Sequence, residues 1–151
     1  DVGTQRAMMM SPALWRKYLK PRLKSLITHA KTRRPGWTVA YHSCGSIKSI
    51  IPDLIEIGVE VLNPIQPLCP EMNPYEIKKE FGKDLSLLGG LDTQELLVQG
   101  TPQQVYDESS RLIEILGKGG GYVFAGSHTI MPDVPVDNIV ASLQAAKILP
   151  K

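Results

Sequence analysis

Four short apolar segments alternating with helix-length segments predict an α/β fold built on a parallel sheet. A polar, chemically competent side chain closes every one of the four segments, which points to a (β/α)8 barrel rather than a doubly wound sheet. A barrel surrounds one pocket with all of its strand ends, whereas a doubly wound sheet concentrates ligand groups at one switch point. Four units are half of what a barrel needs, so the predicted fold is a half-barrel and residues 1–151 form one domain.

The elements follow in order. Ser11 and Pro12 in "SPALW" are an N-cap and a first helical residue, and they predict a helix running to about residue 31. The first strand is predicted at 37–41 (WTVAY) and ends in His42-Ser43-Cys44-Gly45. Residues 47–57 have a helical pattern that Pro52 should break or kink. The second strand, 60–62 (EVL), leads into Asn63-Pro64-Ile65-Gln66. Asn73, Pro74 and Glu76 start the next helix, and Gly82 ends it. The third strand, 85–88 (LSLL), ends in Gly89-Gly90-Leu91-Asp92. Thr101, Pro102 and Gln104 repeat the capping device for a helix ending at Gly117. The glycine-rich stretch "GKGGGY" precedes a strand instead of following one, so it reads as a helix-to-strand loop and not as a phosphate cradle. The fourth strand, 122–125 (YVFA), ends in Gly126-Ser127-His128, and an amphipathic helix over 137–149 closes the chain.

Composition excludes several classes. The chain is 42% hydrophobic and 21% charged, which is the balance of a globular domain. A formal charge of +2, with the densest basic spot at Lys31–Arg34 (KTRR), predicts a solvated helix end and no nucleic-acid partner. No apolar run is long enough to span a membrane, and no signal peptide is visible. Two cysteines are too few for a disulfide framework, so a reducing, cytoplasmic setting is expected. The chain opens on "DVGTQR", without an initiator Met or a capping signal, as if it continued a longer polypeptide.

The strand ends carry the chemistry. In an extended segment, residues two apart point to the same side, so His42 and Cys44 converge. Imidazole and thiolate suit Zn2+, and a catalytic zinc keeps three protein ligands and one open position. His128, on the same rim, completes a possible set of His42, Cys44 and His128. Two other readings of the pair stand beside zinc: a buried thiol next to an ordinary hydrogen-bonded imidazole, or a Cys/His nucleophile pair; Cys69 in "QPLCPEM" is either a fourth zinc ligand or an incidental loop cysteine. Asn63 and Gln66 offer amide groups to a substrate or to a histidine, although Asn-Pro also starts turns. Asp92 is either a catalytic or substrate-binding carboxylate or the N-cap of "TQELL". Asp133 and His29 read as surface or structural residues.

"DVGTQR", "HSCGSIKSIIPDLIEIGVEVLNPIQP", "LLGGLDTQ" and "GGGYVFAGSHTIMPDVPVDNI" together resemble the uroporphyrinogen decarboxylase superfamily over essentially the whole chain. That superfamily includes decarboxylases of porphyrin and heme biosynthesis and zinc-dependent methylcobamide methyltransferases. The resemblance implies the C-terminal half of a (β/α)8 barrel, with the N-terminal half of the same barrel as its partner. The methyltransferase branch implies Zn2+ on His42 and Cys44, with His128 standing where that branch has a cysteine. It also implies a corrinoid on a partner protein as methyl donor to a thiol. The decarboxylase branch implies a cofactor-free lyase with His128 in the substrate pocket. Gln5, Asn63, Gln66 and His128 are therefore expected to bind substrate, and His128 and Asp92 to act in catalysis, with Asp92 equally readable as a cap. A lone half-barrel exposes apolar edges and faces, so it is expected to associate with its other half or with itself, and without the catalytic groups of the other half it is expected to be inactive.

Overall fold

The computed structural model describes residues 1–150. Its helices are α1 (Pro12–Tyr18), α2 (Lys20–Arg33), α3 (Ile51–Glu56), α4 (Pro74–Phe81), α5 (Leu96–Gln99), α6 (Pro102–Gly117) and α7 (Val136–Ala145). Its strands are β1 (Ala40–His42), β2 (Val61–Ile65), β3 (Ser86–Leu91) and β4 (Tyr122–Gly126). The four strands form one parallel sheet in the order β1-β2-β3-β4. Each crossover therefore reaches the next neighbour and the order never reverses. That is barrel topology, because a doubly wound sheet changes direction at a switch point. The chain is half of a (β/α)8 barrel.

The two faces of the sheet have different environments. Tyr41, Leu62, Leu87 and Tyr122 lie in one register row across all four strands. Leu62 and Leu87 in that row are fully buried beneath the helices. On the other face Ala40 and His42 are exposed, and Val123 is 52% exposed. Parallel sheets are ordinarily covered on both faces. The uncovered face, rich in small and β-branched residues, is what would line the inside of a closed barrel.

Helix boundaries follow the capping chemistry, with two departures. Ser11 accepts from the Leu14 N–H, Asn73 from Tyr75 and Glu76, and Thr101 forms a capping box with Gln104. The single helix expected over 12–31 is two helices that break at Leu19. Pro21 has no N–H for the Lys17 carbonyl, and its ring crowds that carbonyl. Pro52 instead lies within the first turn of α3, where a missing N–H leaves nothing unpaired, so it starts a helix rather than breaking one.

The strands differ from expectation mainly at their ends. β1 begins at Ala40, because Trp37 turns back onto the Arg34 carbonyl and is 60% exposed. β2 and β3 run on to Ile65 and Leu91, so Asn63 is a strand residue and not a turn residue. α7 stops at Ala145, short of the expected 149.

Trp15, Ile50, Leu54, Leu62, Leu87 and Leu112 anchor the core, each fully buried. Burial of side chains this size stabilises by about 1.5–3 kcal/mol each. Asp53, 8% exposed on α3, ties that helix to the first two through ion pairs with Arg16 at 2.9 Å and Lys20 at 2.7 Å. No helix among the described residues is long and apolar enough to cross a membrane.

Candidate metal centre

The site is built where two loops interlock. Residues 1–5 lie against the turn that follows β1. Cys44 donates its N–H to Asp1 Oδ1 at 2.9 Å, and Val2 donates its own to Ser43 Oγ at 3.0 Å. The Ser46 N–H reaches the Thr4 carbonyl at 2.9 Å. Two glycines permit this approach. A Cβ on Gly45, whose φ is +87°, would stand 2.5 Å from both Thr4 N and Thr4 O, and one on Gly3 would stand 2.5 Å from the Cys44 carbonyl. Only glycine fits either position.

Three ligand atoms converge on this turn. Asp1, His42 and Cys44 each offer one, and the three lie within 4.8 Å of one another. His42 Nε2 is 3.8 Å from Cys44 Sγ and 3.5 Å from Asp1 Oδ1. Tetrahedral zinc bonds of about 2.0–2.3 Å place neighbouring ligand atoms about 3.3–3.8 Å apart. The two separations from His42 Nε2 match that spacing, and S, N and O are donors that zinc accepts. His42 Nδ1 bonds Asn63 Oδ1 at 2.7 Å. An amide oxygen only accepts, so Nδ1 carries the proton and the Nε2 lone pair faces the cluster. Burial pushes the Cys44 thiol above its ordinary range, which keeps it protonated unless a cation stands beside it.

His128 is placed differently from the expected ligand set. It follows β4 and lines two small cavities, of about 370 Å³ with Cys44 and about 180 Å³ with His42. It does not belong to the group of converging ligand atoms, whose third member is Asp1. The reason is geometric: the 1–5 segment occupies the flank of the turn, whereas β4 is three strands away from β1 across the sheet. His42, Cys44 and His128 thus share a rim but do not form one close triad. Sequence reasoning passed over Asp1. Its only signal was a carboxylate in "DVGTQR", and no spacing rule links it to residue 42.

The remaining candidates surround the larger of these two cavities or support it. Gln66 is 4% exposed, and its Oε1 accepts from the Gly45 N–H at 2.6 Å. Gln5 reaches the same oxygen at 3.4 Å. Cys69 is buried and donates to Gln5 Oε1 at 3.2 Å, so it braces the amides and lies outside the ligand group. The Asp92 carboxylate accepts from the N–H groups of Gln94, Glu95 and Leu96 at 2.8–3.1 Å. Of the two expectations for Asp92, this is the geometry of the cap. Ser127 is buried and within 3.3 Å of Thr93, which holds the turn that carries His128. A larger cavity, about 740 Å³ between α5, α6 and the loop after β2, contains neither a thiol nor an imidazole.

Residues 2–149 match the family model described as uroporphyrinogen decarboxylase (URO-D). A methylated-thiol–coenzyme M methyltransferase of Methanosarcina mazei is 26% identical over 113 residues, 72% of this chain and 27% of that protein. A uroporphyrinogen decarboxylase of Pseudoalteromonas translucida is 33% identical over 67 residues, 44% of this chain and 18% of that protein. In fold, the chain superimposes on a methyltransferase structure from Methanosarcina mazei with a TM-score of 0.70 at 24% identity, covering 92% of this chain and 38% of that one. The chain thus spans well under half the length of the proteins it matches.

Proposed function

Since the chain belongs to the uroporphyrinogen decarboxylase family, we propose that it forms the C-terminal, metal-binding half of a barrel enzyme that transfers a methyl group from a protein-borne corrinoid to a thiol. The observation that carries this reading is the convergence of Asp1, His42 and Cys44 within 4.8 Å, with the two separations from His42 Nε2 at the spacing of tetrahedral zinc ligands. Bound there, Zn2+ supplies the positive charge that keeps an acceptor thiol ionised at neutral pH. The chain's own residues do the rest. His42 presents Nε2 because Asn63 holds the proton on Nδ1. Cys44 and Asp1 contribute two negative donors fixed by the glycine-permitted contact between their loops. Gln66, Gln5 and His128 line the adjoining cavity where the acceptor would sit. The uncovered inner sheet face, with Ala40 and Val123 exposed, is the surface on which the N-terminal half would close.

Elemental analysis of the complete protein tests this. One zinc per chain, lost in Cys44→Ala, is the expected result, and a folded wild-type protein without zinc refutes the proposal.

A second reading is decarboxylation of uroporphyrinogen, in which His128 acts as a substrate-binding or proton-donating group. It is favoured by the position of His128 after β4 in a polar cavity. Turnover of uroporphyrinogen by the complete protein is the direct assay, and its absence in a folded enzyme removes this alternative.

A further inference from the structure

Ser43 stands in the chain between two ligands and points away from both. Alternation sends His42 and Cys44 to one side and Ser43, like Tyr41, to the other. Tyr41 shares its register row with the fully buried Leu62. Ser43 extends that pairing past the end of β1, because its N–H reaches the Asn63 carbonyl at 2.9 Å, and it is fully buried. A buried hydroxyl needs partners, and Ser43 finds them in the metal turn and in the segment that meets it. Its O–H donates to the Cys44 carbonyl at 3.1 Å, and its oxygen accepts the Val2 N–H at 3.0 Å.

The bond to Val2 governs Asp1. Residues 1–4 are held on the turn by the Val2 N–H on Ser43, the Cys44 N–H on Asp1 and the Ser46 N–H on the Thr4 carbonyl. Of these, only the first uses a side chain of the turn. The Val2 nitrogen is bonded directly to the Asp1 carbonyl carbon, so its anchor sets how far the Asp1 carboxylate reaches toward His42 Nε2, 3.5 Å away. Met9 N–H on the Val2 carbonyl and Thr4 N–H on the Ala7 carbonyl, both at 2.8 Å, lie within the segment itself. They shape it without fixing it to the strand end.

We propose that Ser43 is a positioning residue for the metal: by holding the Val2 N–H it brings Asp1 to the ion as the third ligand beside His42 and Cys44. This rests on the zinc site of the methyl-transfer reading. Zinc affinities of the complete protein and its variants, measured against a chromophoric chelator, test it. Ser43→Ala should bind zinc about tenfold to a hundredfold more weakly, the usual effect of losing a group that orients a ligand. In an Asp1→Ala background the same substitution should change affinity by less than about threefold, because the ligand it positions is gone. Co2+ in place of zinc gives a second readout, since its visible absorption follows the donor set and geometry. Ser43→Ala should show the bands of Asp1→Ala, whereas a variant that is merely less stable would hold less cobalt with wild-type bands. Val2→Pro deletes the donor and leaves Ser43 in place, so it should reproduce the loss of affinity even if Ser43→Ala does not fold. Wild-type affinity in either variant, wild-type cobalt bands in Ser43→Ala, or an equal loss with and without Asp1 overturns the assignment. A folded wild-type protein that holds no zinc overturns the methyl-transfer reading itself, a result distinct from zinc-loaded protein whose affinity ignores Ser43.

Discussion

Replacing Asn63 with alanine should weaken zinc binding by about tenfold to a hundredfold without unfolding the protein. The hydrogen bond between His42 Nδ1 and Asn63 Oδ1, at 2.7 Å, is the contact that fixes which ring nitrogen faces Cys44 and Asp1. Without it the imidazole can rotate and can carry its proton on either nitrogen. Loss of such an outer partner typically costs a factor of about 10–100 in metal affinity, or about 1.4–2.8 kcal/mol. The structure limits the cost elsewhere. Asn63 is only partly buried and faces the uncovered side of the sheet, so truncation opens no core cavity. Competition against a chromophoric chelator gives the zinc affinity, and denaturant unfolding of the metal-free proteins gives the stability. Asn63→Asp provides the control, because a carboxylate also accepts from Nδ1–H and should hold affinity within a few-fold of wild type. The reasoning is refuted if Asn63→Ala binds zinc as tightly as the wild type, or if Asn63→Asp falls as far as the alanine variant.

Two further predictions concern stability. Burial alone would raise the Asp53 carboxyl, but the hydrogen bonds from Arg16 and Lys20 outweigh it and hold the group below its ordinary value. A carboxyl depressed in the folded state stabilises above the unfolded value of about 3.9, and this stabilisation is lost as pH falls through the folded value. Asp53→Asn should therefore cost about 1–2 kcal/mol at neutral pH, discounted for the half-exposed Arg16, with the difference from wild type closing below about pH 4. Chemical denaturation across the acid range measures both, and a difference that persists unchanged at low pH would count against the ion pairs as its cause. Gly45→Ala should destabilise by about 2–4 kcal/mol, because it combines a positive φ with a Cβ 2.5 Å from Thr4 backbone atoms. Thermal unfolding reads the loss, and a melting temperature like that of the wild type would show that the 1–5 segment does not pack against the turn.

Much of this protein is written in local chemistry. Ser11, Asn73 and Thr101 cap their helices through hydrogen bonds that span three residues or fewer, so their sequence context suffices. The same holds for the pairing of His42 with Cys44, since alternation along a strand fixes which side two residues share. The half-barrel was readable because each strand is short and apolar and ends in polar residues. Contacts between distant segments left no such mark. Asp1 joins His42 and Cys44 only because two glycines, Gly3 and Gly45, let separate loops touch, and backbone fit of that kind has no periodicity. Gln66 acquires a fixed orientation from the Gly45 N–H, 21 residues away. The sequence by itself determined which residue types reach the rim. The tertiary structure decided which of them meet, because a ligand set depends on separations of a few ångströms between strand ends and loops that only the closed packing of the chain defines.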